Sequence, residues 1–240
     1  MTSKGPEPDA IKRLYESSKE VWPKNDLWHD KTRIAIESQV MTWLSSLPIA
    51  KSSKILNAGA GTTRYSVNCN TYDNDIVGSL VENSPNPIVS SIEKIPVKDE
   101  FFDVCVCVGS VLNYCDAFAT ISELARVLPY DGYLILEFER SDSAEFLFSK
   151  RHHNAIFPKQ YQYNEQKHDL WLYSEKYVTI LLKDAGFLIK SRKRFHSASS
   201  LIYRLTKDQN QAAKYIKYDS ICGLLSYHLA HNVIMLLRKN

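Results

Sequence analysis

The residues best able to do chemistry lie in one short run, Lys54-Ile-Leu-Asn-Ala-Gly-Ala-Gly-Thr-Thr63. A short apolar strand (Ile55, Leu56) leads into a loop with glycines at 59 and 61. Without Cβ atoms these positions let backbone come close to a ligand. If a helix follows, its unpaired N–H groups face the ligand too. The chemistry implied is binding of a nucleotide-like ligand at the carboxyl end of a first parallel strand. Position 64 is Arg64, so the third glycine of a dinucleotide fingerprint is missing, and a tight turn that binds nothing is the competing reading of the run by itself. The pair His152-His153 sits in a charged run and reads as a solvated loop. Five cysteines occur without a Cys-x-x-Cys pair or suitably spaced histidines, so no metal site is expected. Cys105 and Cys107 fall on one face of an apolar run and read as small core residues.

Positioning these groups requires strands alternating with helices. The apolar spacing predicts a helix over 11–22 and a second over 31–47, with Ile36, Val40, Trp43 and Leu44 near one face. Pro48 and Ser52-Ser53 end the second helix. Strands are expected at 54–58, 75–81, 103–108 and 132–138, with a helix over 116–127 marked by Ile121, Leu124 and Val127-Leu128. A further helix runs from an N-cap at Ser174 to a C-terminal Gly186, followed by strands at 187–195 and 232–238. Parallel strands covered by helices make an α/β doubly wound sheet. The 240 residues, 44% hydrophobic and 24% charged, suit one globular domain. Residues 1–8 are expected to be loosely attached, 1–50 to form N-terminal cap helices, and 51–240 to form the core, with pocket-building insertions near 140–172 and 197–231.

After the glycine loop come Ser91-Ile-Glu-Lys-Ile-Pro-Val-Lys-Asp-Glu-Phe-Phe-Asp103, Val104-Cys-Val-Cys-Val-Gly109, Ser110-Val-Leu-Asn-Tyr114 and Asp131-Gly-Tyr-Leu-Ile-Leu-Glu137. This order, over residues 50–140, resembles a class I S-adenosylmethionine-dependent methyltransferase, particularly the group acting on small molecules. The resemblance implies a Rossmann-like, seven-stranded, mostly parallel sheet whose last strand, here Asn232-Val-Ile-Met-Leu-Leu-Arg-Lys, inserts antiparallel. It implies S-adenosyl-L-methionine as cofactor, with Ala58, Gly59, Ala60 and Gly61 against its amino-acid part. Asn57 stands where the family usually has an acid, and either meets the methionine amino group or caps the loop. The family places a ribose-binding carboxylate at the end of the second strand; Glu82 is the choice here, with Ser79, Asp73 and Asp75 as alternatives. Ser91 and Ile92 would meet the adenine, and Gly109 and Val111 would line the methyl-donor pocket.

The same resemblance turns Asn113 and Tyr114 toward the substrate and makes His29, in the cap beside Trp28, and His196, at a strand end, candidate bases. Tyr163 and Trp171 would shape the acceptor pocket, while Glu137 would point at substrate or merely end its strand. An Asn/Asp-Pro-Pro-Tyr/Phe tetrad is missing at 113, which argues against methylation of DNA bases or protein glutamine.

The expected activity is in-line transfer of a methyl group to an O or N atom of a small metabolite. Alignment dominates such a reaction, and a base is needed only if the acceptor must lose a proton. A net charge of +3, from 30 basic and 27 acidic residues, gives no reason to expect nucleic acid. The cluster Lys190, Arg192, Lys193, Arg194 reads as decoration of an exposed strand or edge. No stretch approaches the ~20 apolar residues that span a bilayer. The polar start Met1-Thr-Ser-Lys-Gly-Pro and the cysteine usage point to the cytoplasm. Competing readings are an RNA or protein methyltransferase, for which no basic groove or recognition domain is evident, and a non-catalytic partner subunit of methyltransferase shape. The latter draws on Asn57, Ser79 and Ser91, each standing where the family often has a carboxylate. The acceptor and the oligomeric state stay open.

Overall fold

Strands buried on both faces need helices on both sides, and the chain supplies them in three layers. The computed structural model describes residues 5–17, 27–152, 154–163, 166–219 and 226–240. The helices are α1 (Pro8–Ser17), α2 (Leu27–Ser46), α3 (Gly78–Val81), α4 (Ala117–Val127), α5 (Glu175–Asp184), α6 (Ala198–Thr206), α7 (Gln209–Ala213) and α8 (Ser226–Leu229). The strands are β1 (Lys54–Ala58), β2 (Asn70–Asp75), β3 (Pro87–Val89), β4 (Val104–Cys107), β5 (Tyr133–Glu139), β6 (Ile156–Tyr163), β7 (Gln166–Tyr173), β8 (Phe187–Phe195) and β9 (Asn232–Lys239). Seven of them form one sheet in the order β3-β2-β1-β4-β5-β9-β8. Pairing is parallel from β3 through β5, and β9 runs antiparallel to both its neighbours. The expected Rossmann-like sheet with an antiparallel last strand is therefore present. β6 and β7 form a separate hairpin inside the 140–172 insertion.

Side-chain alternation on β4 shows how the core divides. Cys105 and Cys107 pack with Ile121 and Leu124 of α4 and Val178 and Leu182 of α5. Val104 and Val106 face the opposite way, onto Ile36, Val40, Trp43 and Leu44 of α2. Each of these α2 side chains contributes on the order of 1.5–3 kcal/mol by leaving water. α4 is capped by Asp116, which accepts from Ala119 N–H at 2.8 Å, and α5 by Ser174, which accepts from Tyr177 N–H at 3.1 Å. Gly186 follows α5 with φ +86°, the left-handed geometry that a helix-stopping glycine provides. The basic cluster falls on β8, the sheet's outer strand, where Arg192 and Arg194 pair with Glu175.

Several expectations need correction. The second strand is Asn70–Asp75, not 75–81. The apolar residues Val77 and Val81 that suggested the later position are buried around α3 instead. β2 is polar yet fits the interior because its side chains find partners. Asp73 accepts from Asn57 at 2.8 Å and from Ser84 at 2.5 Å, and the Asn74 amide donates to Ile88 O, Ser90 O and Ser90 Oγ. β3 and the β6–β7 hairpin were not anticipated. No helix follows the glycine loop; residues 59–69 cross from β1 to β2 without regular structure. α2 begins at Leu27 rather than at 31, and the predicted 11–22 helix is seen as α1 through Ser17, its remainder lying outside the described residues.

Candidate functional site

The carboxyl ends of β1, β2, β3 and β4 open into one cavity. Its wall comes from Asn57 in β1, Gly59, Ala60 and Gly61 after it, Asp75 at the end of β2, Ser91 and Ile92 after β3, and Gly109 and Val111 after β4. Residues far apart in sequence and singled out for one ligand therefore meet around one space. α1 closes a side with Pro8, Ile11 and Tyr15, and α2 adds Arg33, Ile36 and Glu37.

The glycine loop is tied to β2. Ala60 N–H donates to Asn74 O at 2.8 Å and Gly61 N–H to Asp75 Oδ2 at 2.8 Å. Gly59 has φ +67°, and a Cβ there would lie 2.4 Å from a Val111 methyl, so only glycine lets the β1 and β4 loops approach this closely. The Asn57 amide donates to Thr63 O at 3.0 Å and to Asp73 Oδ1 at 2.8 Å. Asn57 thus closes the loop onto itself while also lining the cavity.

Asp75 is buried, with Oδ1 accepting from Val77 N–H at 2.9 Å and Oδ2 from Gly61. Burial raises its pKa, and the backbone donors pull the other way without cancelling it. Each carboxylate oxygen still has a lone pair for a further donor. Glu82, by contrast, is exposed at the end of α3 and does not line the cavity; Ser79 is on α3, and Asp73 turns into the Asn57–Ser84 network. Placing the second strand at 75–81 instead of 70–75 is what points to Glu82 rather than Asp75.

On α2, Arg33 pairs with Asp30 and Glu37, both at 2.9 Å, and Thr63 reaches Glu37 at 3.4 Å. Neither Arg33 nor Glu37 was singled out from the sequence. An i,i+4 charge pair usually marks a solvated helix face, and only the fold shows this one facing the glycine loop.

The four candidate catalytic residues separate. Tyr114 lines the cavity, its ring edge-on to Tyr15 at 5.9 Å, with its hydroxyl accepting from Tyr15 at 3.0 Å. Asn113 does not line it. It is wholly buried, donating to Glu139 O at 3.0 Å and Trp171 O at 2.7 Å while accepting from Glu139 N–H at 2.8 Å. The expected turn of Asn113 toward substrate is therefore wrong: its amide joins β5 to the hairpin. His196 is also buried away from the cavity. It stacks on Trp28 at 4.1 Å, meets Thr32 Oγ1 at 2.5 Å through Nε2 and Ser199 Oγ at 3.1 Å through Nδ1. Burial lowers its pKa well below that of ordinary histidine, so the ring is a neutral packing element. His29, on the same helix as Trp28, lies off the cavity as well. Trp171 packs its indole against Gly5, the Tyr163 side chain lies outside the described ones, and so does His153.

At the carboxyl end of β5, two carboxylates missed as a unit sit beside the β4 loop. Glu137 Oε2 accepts from Gly109 N–H at 2.9 Å and Ser110 N–H at 2.7 Å, and Oε1 from the Asn232 amide at 2.6 Å. Glu139 accepts from Ser110 Oγ at 3.1 Å and Tyr161 at 2.9 Å and pairs with His231 at 3.2 Å; His231 faces Glu145 on its other side, itself paired with Lys159. Burial alone would push Glu139 up, but His231, Lys159 and Tyr161 hold it down to about 2. Among the described residues no group of three metal-ligating side chains gathers, and no helix is long and apolar enough to cross a membrane.

Residues 56–136 match the family model of a methyltransferase domain. Similar solved structures include a 1,6-didemethyltoxoflavin N1-methyltransferase from Burkholderia thailandensis with its substrate and S-adenosylhomocysteine bound. It is 14% identical, with TM-score 0.59, covering 97% of this chain and 87% of that one. The 4+2 cyclase SpnF is 12% identical with TM-score 0.61 over 99% and 98% of the two chains. An S-adenosylmethionine-dependent methyltransferase from Mesorhizobium loti is 10% identical with TM-score 0.56 over 85% and 98%. No curated protein matches the chain. At these identities the structural likenesses carry the fold.

Proposed function

We propose, for a chain that carries a class I S-adenosylmethionine-dependent methyltransferase domain, that the methyl group goes to an O or N atom of a small metabolite. The observation that carries the reading is the meeting of the glycine loop, Asp75, Ser91-Ile92 and Gly109–Val111 around one cavity. The donor set suits the cofactor. Asp75 takes the ribose hydroxyls, in place of Glu82, through its remaining lone pairs. Ile92 packs on the adenine and Ser91 meets its edge. Because the Ala60 and Gly61 N–H groups are spent on β2, the charged amino-acid end falls to Asn57, Glu37 and Arg33. The cofactor supplies an electrophilic methyl on a sulfonium.

The protein's part is to exclude water, hold the acceptor in line and, where the acceptor must lose a proton, offer a base or route to one. Tyr114 and Tyr15, bonded to one another at the cavity wall, are the side chains placed to touch the acceptor. Support for a small acceptor comes from the 1,6-didemethyltoxoflavin bound in the Burkholderia structure and from α1, whose Pro8, Ile11 and Tyr15 cover one side of the cavity. SpnF, a cyclase of this fold, keeps a second reading in view: a cavity of this fold serving a reaction other than methyl transfer. Residues 1–50 act as the cap, and the insertions near 140–172 and 197–231 as the acceptor-side wall. Calorimetric titration with S-adenosylmethionine and S-adenosylhomocysteine, with NAD as control, tests the reading. Micromolar binding of the first two alone is expected; tighter binding of NAD would replace it, and cofactor binding without turnover of any small-molecule acceptor would favour the second reading.

A further inference from the structure

Glu137 is fully buried, and its carboxylate holds the turn that forms one wall of the cavity. Gly109 and Ser110 adopt φ +84° and +60°, conformations that the two bonds to Oε2 keep in place. The carboxylate thus lies directly behind Gly109, which itself lines the cavity. The titratable groups facing it are Tyr65 after β1, Cys107 on β4 and Glu139 on β5, none of them a cation. Lys159, the cation nearby, is engaged by Glu145, and the His231 ring lies between Glu139 and Glu145. A buried carboxylate without a cationic partner favours the arrival of positive charge next to it.

We propose that Glu137 is a positioning residue that senses charge: it fixes the Gly109-Ser110 turn and, when ionised, favours a cationic over a neutral sulfur in the adjoining cavity. The inference rests on the cofactor reading above. S-adenosylmethionine carries a sulfonium and S-adenosylhomocysteine a neutral thioether, so the same pocket grips the donor and loosens on the product. Burial raises Glu137 to about 7, with the Ser110, Asn232 and Gly109 donors pulling down and Glu139 pushing up. Near neutrality the group is therefore divided between two forms. A cation draws it to the ionised form and releases a proton, whereas a neutral ligand does not.

The test compares the two ligands on the full chain by calorimetry from pH 6 to 8.5, in buffers of different ionisation enthalpy. The sulfonium makes the donor's own ammonium more acidic than the product's, so each affinity is corrected for that ligand's own titration, measured on the free ligand, before the ratio is taken. The ratio of Kd for S-adenosylhomocysteine to Kd for S-adenosylmethionine is expected to rise about three- to tenfold across that range, the size a shift of up to one pKa unit produces. Only the sulfonium ligand should release protons. Glu137→Gln should flatten the ratio while leaving S-adenosylhomocysteine affinity within about threefold, because a glutamine oxygen still accepts two backbone donors. Asn232 Oδ1, buried without a hydrogen-bond partner, becomes the acceptor for the new amide once its own amide turns over. A flat ratio in the wild-type protein, or a pH-dependent ratio that survives Glu137→Gln, overturns the inference. If the variant does not fold, the wild-type ratio and proton release decide. Failure of both ligands to bind would instead remove the cofactor reading and this inference with it.

Discussion

Two sets of polar residues share the carboxyl edge of the sheet and are used in opposite ways. Around the glycine loop, Asp75 accepts one backbone donor on each oxygen and keeps capacity toward the cavity. A few strands along, Asn113 and His196 have their ring or amide groups occupied by backbone, Thr32 and Ser199, under complete burial. Both sets are polar side chains that follow or end strands on the same edge of the sheet. What separates them is how much hydrogen-bonding capacity the fold has already consumed, and a group with none left binds no substrate.

The largest effect that would break this contrast is at Gly59. Gly59→Arg places a side chain where a Val111 methyl lies 2.4 Å from the Cβ position, at φ +67°. Cofactor binding measured by calorimetry should fall by more than about 100-fold, since strain of this kind alone costs roughly 1–3 kcal/mol before the clash is added. Wild-type affinity would show that the cavity is not the cofactor site. Next is Asn113→Ala, which strands two carbonyls and an N–H. Urea unfolding should report a loss of about 3 kcal/mol, with S-adenosylhomocysteine affinity within about threefold of wild type. Unchanged stability together with lost affinity would move Asn113 into the working set.

Asp75→Asn should weaken both cofactor forms by roughly tenfold, the size of a lost charge-assisted bond. Glu82→Gln, tested beside it, should change nothing; an equal loss from Glu82→Gln would restore the sequence-based choice. The smallest effect is on acid stability. Glu139 has a folded pKa of about 2 against an ordinary 4.5, so its stabilisation is complete above about 4.5 and is lost as pH falls toward about 2. Thermal melts across that window should fall by a few degrees less for Glu139→Gln than for wild type, and parallel slopes would remove the His231–Glu139 pair as a stabilising element.

Much of this was legible from order and spacing. The glycine loop, the Val104–Cys107 strand and the cap at Ser174 follow local rules that the fold does not override, while the antiparallel last strand is what the family resemblance implies. β2 was misplaced because its burial is achieved by side-chain amides and carboxylates bonding across strands, a pairing that periodicity does not register. That single shift moved the ribose acceptor from Asp75 to Glu82. Arg33, Glu37 and Glu139 are legible only as charges and Glu137 only as a strand-end acid, since their part in the site comes from tertiary approach. His29 and His196 draw notice by residue type, yet His196 is enclosed by Trp28, Thr32 and Ser199, and α6 and α7 of the 197–231 insertion pack around Trp28.

The slot taken by β9 bears on how the protein is made. On a ribosome working from residue 1, β5 emerges roughly ninety residues before β9, and β8 some forty before it. Through that interval the β5 edge carrying Leu134, Leu136 and Phe138 and the inner edge of β8 hold unpaired backbone donors and acceptors. Only when residues 232–239 slide between them do both ladders close at once, drawing Lys239 onto the carbonyls of Ala125 and Leu128. Closure of the sheet therefore waits on residues 232–239, and a chain cut before residue 232 would leave the β5 and β8 edges open to mispairing.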